Sequence, residues 1–106
     1  MKLKILGKRW TIERADPVMM TGCGVTGLTV YADQRMLVAD GQSEDNARET
    51  ALHEVLHAIA EGMGLRVTTL TYEQEEAAVN AFAKGLRALI ADNPRATVDR
   101  LLFGDI

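Results

Sequence analysis

The sequence predicts an α+β fold in which a small antiparallel sheet over residues 2–40 packs on three helices. Two observations carry that prediction. Residues 1–41 read as short alternating runs broken by turn residues, whereas residues 43–103 carry helix caps and apolar stripes at helical spacing. The length of 106 residues, with 47% apolar and 25% charged residues, matches one globular domain. A single domain over residues 1–106 is therefore expected.

The elements follow in order. Lys2-Leu3-Lys4-Ile5-Leu6 alternates, Gly7-Lys8 can turn, and Trp10-Thr11-Ile12-Glu13 alternates again, so the chain should open with a hairpin. Pro17, Gly22, Gly24 and Gly27 mark an irregular loop. Leu28-Thr29-Val30-Tyr31 and Met36-Leu37-Val38-Ala39 flank a turn and suggest a second hairpin, ended by Asp40-Gly41. Ser43 is the expected N-cap of a first helix over 44–61, with Glu44 and Asp45 where the helix dipole favours acids. Gly62-Met63-Gly64 should stop it. Thr71, with Gln74 three residues on, should form a capping box opening a helix over 72–92. Val79, Phe82, Leu86, Leu89 and Ile90 form its apolar stripe, and Asn93-Pro94 should start a short last helix over 94–103. The expected core is Ile5, Trp10, Leu37, Leu52, Leu56, Ile59, Val79, Phe82 and Leu86, with Leu101, Leu102 and Phe103 tucking in the last helix.

Composition excludes several functions. A net charge of −3 gives no electrostatic footprint for nucleic acid. The single cysteine, Cys23, excludes an internal disulfide and a Cys-rich zinc finger. The opening run Met1–Leu6 is too short for a signal-peptide core, and the longest apolar stretch, Val55 to Ala60, is broken by His57. No membrane association and a cytoplasmic location are the expectations.

Both histidines of the chain, His53 and His57, fall in His53-Glu54-Val55-Leu56-His57, an HExxH pattern inside the first helix. Four residues bring the second imidazole back to within about 40° and 6 Å of the first, so both can reach one ion. Glu54 lies one step round the helix, placed to act on water beside the metal rather than to ligate it. The neighbours Ala51, Leu52, Val55, Leu56, Ala58, Ile59 and Ala60 are apolar, so this helix should be buried nearly all round. Two histidines and a carboxylate turned inward on such a helix need a partner, and a metal satisfies all three.

With no third histidine, the third ligand must be a carboxylate or Cys23. Glu61 stands about 12 Å along the helix from His53, too far for one ion. Glu73, Glu75 and Glu76 at the start of the second helix remain. Glu75 falls near the centre of the apolar stripe and Glu76 at its edge, where core meets cleft, so Glu76 is favoured and Glu75 is the alternative. Glu76 and Asn80 are i, i+4, which allows Asn80 to orient the carboxylate.

The run Ala51-Leu52-His53-Glu54-Val55-Leu56-His57-Ala58-Ile59, followed by Glu75 to Leu86 and by Asp92-Asn93-Pro94, resembles the short zincin-like metallopeptidases encoded by phages and prophages. It is similar, more distantly, to the ImmA/IrrE metallopeptidase family. The resemblance covers residues 25–94. It implies a minimal zincin-like fold, a host-cell cytoplasmic setting, and a third ligand that opens a Glu-x-x-x-Asp/Asn pattern, matched by Glu76-Ala77-Ala78-Val79-Asn80. The chain departs from the ImmA/IrrE pattern at Ala78, where a second glutamate is common, and it has no further histidine to stabilise an oxyanion. Tyr72, Tyr31 and Arg35 are the candidates for that role or for substrate contact.

The expected function is hydrolysis of peptide bonds with Zn²⁺ as cofactor, held by His53, His57 and Glu76, with Glu54 activating the water that zinc polarises. Zinc is favoured by the nitrogen and carboxylate ligand set. The expected partner is a peptide or protein substrate, held by strand addition to an edge such as 28–31 or 36–39. The alternative is a zinc-binding, non-hydrolytic interaction module. Hydrolysis of RNA is disfavoured by the acidic balance. A homodimer through the apolar last helix is left open.

Overall fold

The alternation of Lys2–Ile5 and Lys8–Ala15 does produce a hairpin, β1 and β2, in the computed structural model of the chain. The structure describes residues 1–16, 26–65 and 70–104. Ile5 pairs with Lys8, so Leu6 and Gly7 alone form the turn. Both have positive φ, 51° and 81°, as a two-residue turn matched to the strand twist requires. Gly7 accepts that conformation without cost, whereas Leu6 adopts it against the steric preference of a side-chain-bearing residue.

The second hairpin joins β3 (Gly27–Val30) to β4 (Arg35–Ala39) antiparallel, with Val30 opposite Arg35. The two hairpins meet through β2 and β4, and here the expectation of an antiparallel sheet is corrected. The strand order is β1-β2-β4-β3, and β2 and β4 run parallel, Thr11 beside Arg35 and Ala15 beside Ala39. Each hairpin contributes its second strand to the seam, and the register pairs Thr11 with Arg35 through Ala15 with Ala39 in the same direction. The sheet is mixed, and the fold is α+β with three helices.

Alternation then decides the faces. Ile5, Trp10 and Met36 turn to one side and form the core with Ala58 of the first helix; Leu3, Ile12, Tyr31 and Val55 pack against them. Met36 lies opposite Thr29 and Val38 opposite Gly27, so Thr29 and Gly27 share that helix-facing side. Arg35 and Leu37 alternate to the other side.

Helix α1 (Glu44–Gly62) begins at Ser43, whose Oγ accepts from Asn46 N at 3.2 Å. It ends at Met63, with Gly64 in the left-handed region at φ 71° and its N–H on Glu61 O. Helix α2 (Tyr72–Asp92) opens with the expected capping box: Thr71 Oγ1 accepts from Gln74 N, and Gln74 Oε1 accepts from Thr71 N. Helix α3 (Arg95–Phe103) starts one residue later than expected, with Pro94 as its cap. α1 lies on the sheet and α2 lies on α1. The two helices run antiparallel, since Asp45 meets Arg87 and Glu49 meets Lys84 near one end, while His57 meets Glu75 and Glu76 near the other.

The face that α2 turns inward differs from the expected stripe. Its buried residues are Glu75, Val79 and Ala83, spaced by four. Val79 was expected in the core and lies there, as do Ile5 and Trp10. Phe82 is 64% exposed, and Leu86, Leu89 and Ile90 are exposed as well. Ile59 is exposed, Leu37, Leu52 and Leu56 are partly buried, and Leu101, Leu102 and Phe103 point to solvent rather than tucking α3 in. The reason is geometric. Arg87 already meets Asp45 at the start of α1, so Leu89 and Ile90 lie beyond the end of the partner helix, while Phe82 falls to the side of the 75–79–83 row.

Candidate metal centre

Helix periodicity brings His53 and His57 one above the other on the side of α1 that faces the start of α2. Their Nε2 atoms are 3.1 Å apart. Glu76 meets both: Oε1 is 3.0 Å from His53 Nε2, and Oε2 is 2.8 Å from His57 Nε2. Among the described residues these three form a group whose ligand atoms all lie within 4.8 Å of one another.

This donor set fits a divalent ion. Ligands at about 2.1 Å in a tetrahedral shell stand roughly 3.4 Å apart, so the 2.8–3.1 Å separations here, which involve both Glu76 oxygens, would open by a few tenths of an ångström around an ion. Two neutral imidazoles and one carboxylate are also the ligand types of catalytic zinc sites, which leave the fourth position open. The cluster lies in a cleft of about 570 Å³ between β3 and the two helices. His57 is buried, whereas the side chains of His53 and Glu76 remain 20% and 33% exposed. A buried wall and an open mouth are what water and a substrate carbonyl need to reach the same point.

Glu54 turns from the histidine row toward the sheet. Its Oε1 accepts from Thr29 Oγ1 at 2.8 Å, and its Oε2 lies 3.9 Å from His53 Nε2. One oxygen is thus occupied by the strand and the other faces the histidines. The strand comes this near because residue 27 is glycine: a Cβ there would stand 2.5 Å from Thr50 Cγ2 and 3.2 Å from Glu54 Oε2.

The remaining sequence candidates divide. Glu75, the alternative third ligand, does not join the ligand group. It is 1% exposed, and its Oε2 lies 3.7 Å from Nδ1 of His57, on the far side of the ring from Glu76. Tyr31, Tyr72 and Asn80 line the cleft. Asn80 sits one turn on from Glu76, but the Glu76 carboxylate is turned to the histidines rather than to it. Tyr31 also packs edge-on against Trp10, ring centres 6.1 Å apart.

Arg35 is not brought to the site. It lies on the opposite face of the sheet, where its Nη2 donates to Glu13 Oε2 at 3.0 Å. That hydrogen bond and charge hold the Glu13 carboxyl below its usual range. Glu73 and Glu61 are exposed and outside the ligand group, and Cys23 lies outside the described residues. Of the two strands considered for a bound peptide, 36–39 is β4, paired on both sides, whereas β3 is an edge.

Sequence reasoning missed Thr29 and Gly27. Their role follows from facing α1 across the sheet, and no local pattern announces that. Among the described residues no helix is long and apolar enough to cross a membrane. Comparison with protein-family models, curated proteins and solved structures finds no match.

Proposed function

We propose that this protein is a zinc-dependent peptidase in which His53, His57 and Glu76 hold the ion. The single observation that carries the reading is the convergence of two imidazole nitrogens and one carboxylate at 2.8–3.1 Å in the wall of an open cleft. The resemblance of the 53–57 and 75–86 runs to short phage and prophage zincin-like metallopeptidases supports the same reading. When bound, the ion would lower the pKa of a water to about 7 and polarise a carbonyl oxygen.

The protein's own residues supply the rest. Glu54 takes a proton from the attacking water as its oxygen bonds to the scissile carbonyl carbon. Glu54 then returns that proton to the amine nitrogen as the C–N bond breaks. Thr29 keeps the Glu54 carboxylate from rotating by holding Oε1. Among the described residues β3 is an edge strand beside the cleft, to which an extended peptide can add as a further strand. Tyr31 and Tyr72 both line the cleft, which makes their phenol groups the candidates for stabilising a developing oxyanion.

The test is Glu54→Gln, assayed with an unfolded protein or mixed-peptide substrate. Cleavage should fall by about 10²–10⁴-fold with zinc content unchanged. Equal cleavage by wild type and variant would refute the assignment of Glu54. Zinc bound by both, with no cleavage by either, would favour the alternative of a zinc-binding interaction module.

A further inference from the structure

The row that α2 packs against α1 is Glu75, Val79 and Ala83. Two of these are small apolar residues suited to close helix packing. The third is a carboxylate exposed to only 1%, the most deeply buried polar residue among those described. Packing does not explain it. A methionine or leucine there would fill similar volume without the desolvation that a carboxylate suffers.

What Glu75 faces is the back of His57. Its Oε2 lies 3.7 Å from Nδ1, while the Nε2 of the same ring lies 2.8 Å from Glu76 Oε2 and 3.1 Å from His53 Nε2. Two adjacent glutamates, about 100° apart round the helix, therefore address the two nitrogens of one imidazole, Glu76 from the cleft and Glu75 from the core. A histidine binds a metal through one nitrogen only if the proton resides on the other, and the group beyond the ring decides which tautomer is held.

We propose that Glu75 is a positioning residue for the metal centre: its carboxylate takes the Nδ1–H of His57, which fixes the ring and leaves the Nε2 lone pair directed into the cleft. The inference rests on the metal reading of His53, His57 and Glu76 and extends it. The 3.7 Å contact is longer than a closed N–H···O bond of about 2.7–3.2 Å, so the Glu75 carboxylate and the His57 ring would draw together when Nε2 is engaged. Glu75 is not itself a ligand, since it stands behind the ring rather than beside Nε2.

The experiment compares zinc affinity, by competition with a chromophoric chelator, in wild type, Glu75→Gln and Glu75→Met. Both variants should bind zinc about 10–100-fold more weakly. The metal-free Glu75→Met protein should melt at or above the wild-type temperature, because a buried carboxylate has been replaced by an apolar side chain. The visible spectrum of the cobalt-loaded Glu75→Gln protein should also shift. Wild-type affinity in both variants, with an unchanged cobalt spectrum, would overturn the role of Glu75 while leaving the metal site standing. Failure of the wild type itself to bind zinc or cobalt would overturn the metal reading on which the inference rests.

Discussion

Thr29 Oγ1 donates to Glu54 Oε1 at 2.8 Å, and that one bond decides which carboxylate oxygen faces the histidines. A hydrogen bond to an ionised group contributes about 1.5–3 kcal/mol. Thr29→Val, which keeps the shape and loses the hydroxyl, should therefore lower peptidase activity by roughly tenfold or more. Thr29→Ser should retain most of the activity, and zinc content should be unchanged in both, as checked by kcat/KM alongside metal analysis. At this scale the histidine pair was legible, because i, i+4 spacing in a helix needs no tertiary information. Glu76 was legible too, from its place at the edge of an apolar stripe. Arg35 was not, since its capture by Glu13 depends on how two distant strands meet. For Glu75 a helical wheel shows only that the residue faces the core, and not that its carboxylate comes to 3.7 Å from Nδ1 of His57.

At the scale of the element, the caps do more than end helices. The Thr71–Gln74 box fixes the first turn of α2, and that turn carries Glu75 and Glu76 to His57. Thr71→Ala should lower stability by about 1 kcal/mol in urea denaturation. It should also weaken zinc binding, because fraying of the first turn would release Glu76, the proposed third ligand. A cap substitution far from any ligand, such as Ser43→Ala at the start of α1, should cost similar stability and leave zinc affinity unchanged. The caps and both hairpins were visible in the sequence because each is a local agreement of turn chemistry and periodicity. The parallel seam of β2 and β4 was not visible, because it is made by segments more than 20 residues apart whose residues look the same in either orientation. It nevertheless determines the site. Among the described strands it sets β4 inside and β3 at the edge, beside the cleft.

Across the whole molecule, α1 is the central layer, with the sheet on one side and α2 on the other. This explains why residues 51–60 around the motif are largely apolar, and why the HExxH pattern reaches both a strand and a helix. The radius of gyration of 14.7 Å exceeds the value of about 13 Å expected for a compact chain of this length. The outer helices leave Phe82, Leu102 and Phe103 more than 60% exposed. Phe82→Ala should accordingly change stability by less than about 0.5 kcal/mol, where a core phenylalanine would cost about 3–5 kcal/mol; thermal denaturation separates the two. The apolar stripe of α2 is legible as a stripe, but only Val79 of it is buried. Which face of α2 is covered depends on where α1 lies and where it begins, and Arg87 meets Asp45 at that beginning.

The central claim is that His53, His57 and Glu76 bind one divalent ion. The most direct measurement is zinc stoichiometry and affinity of the purified wild-type chain and of Glu76→Ala, by calorimetric titration after chelator treatment. One equivalent of zinc in the wild type, with affinity lowered by at least 10²-fold on loss of the Glu76 carboxylate, is the result predicted. A wild type that takes up no zinc, or a Glu76→Ala variant that binds it as tightly as the wild type, would contradict it.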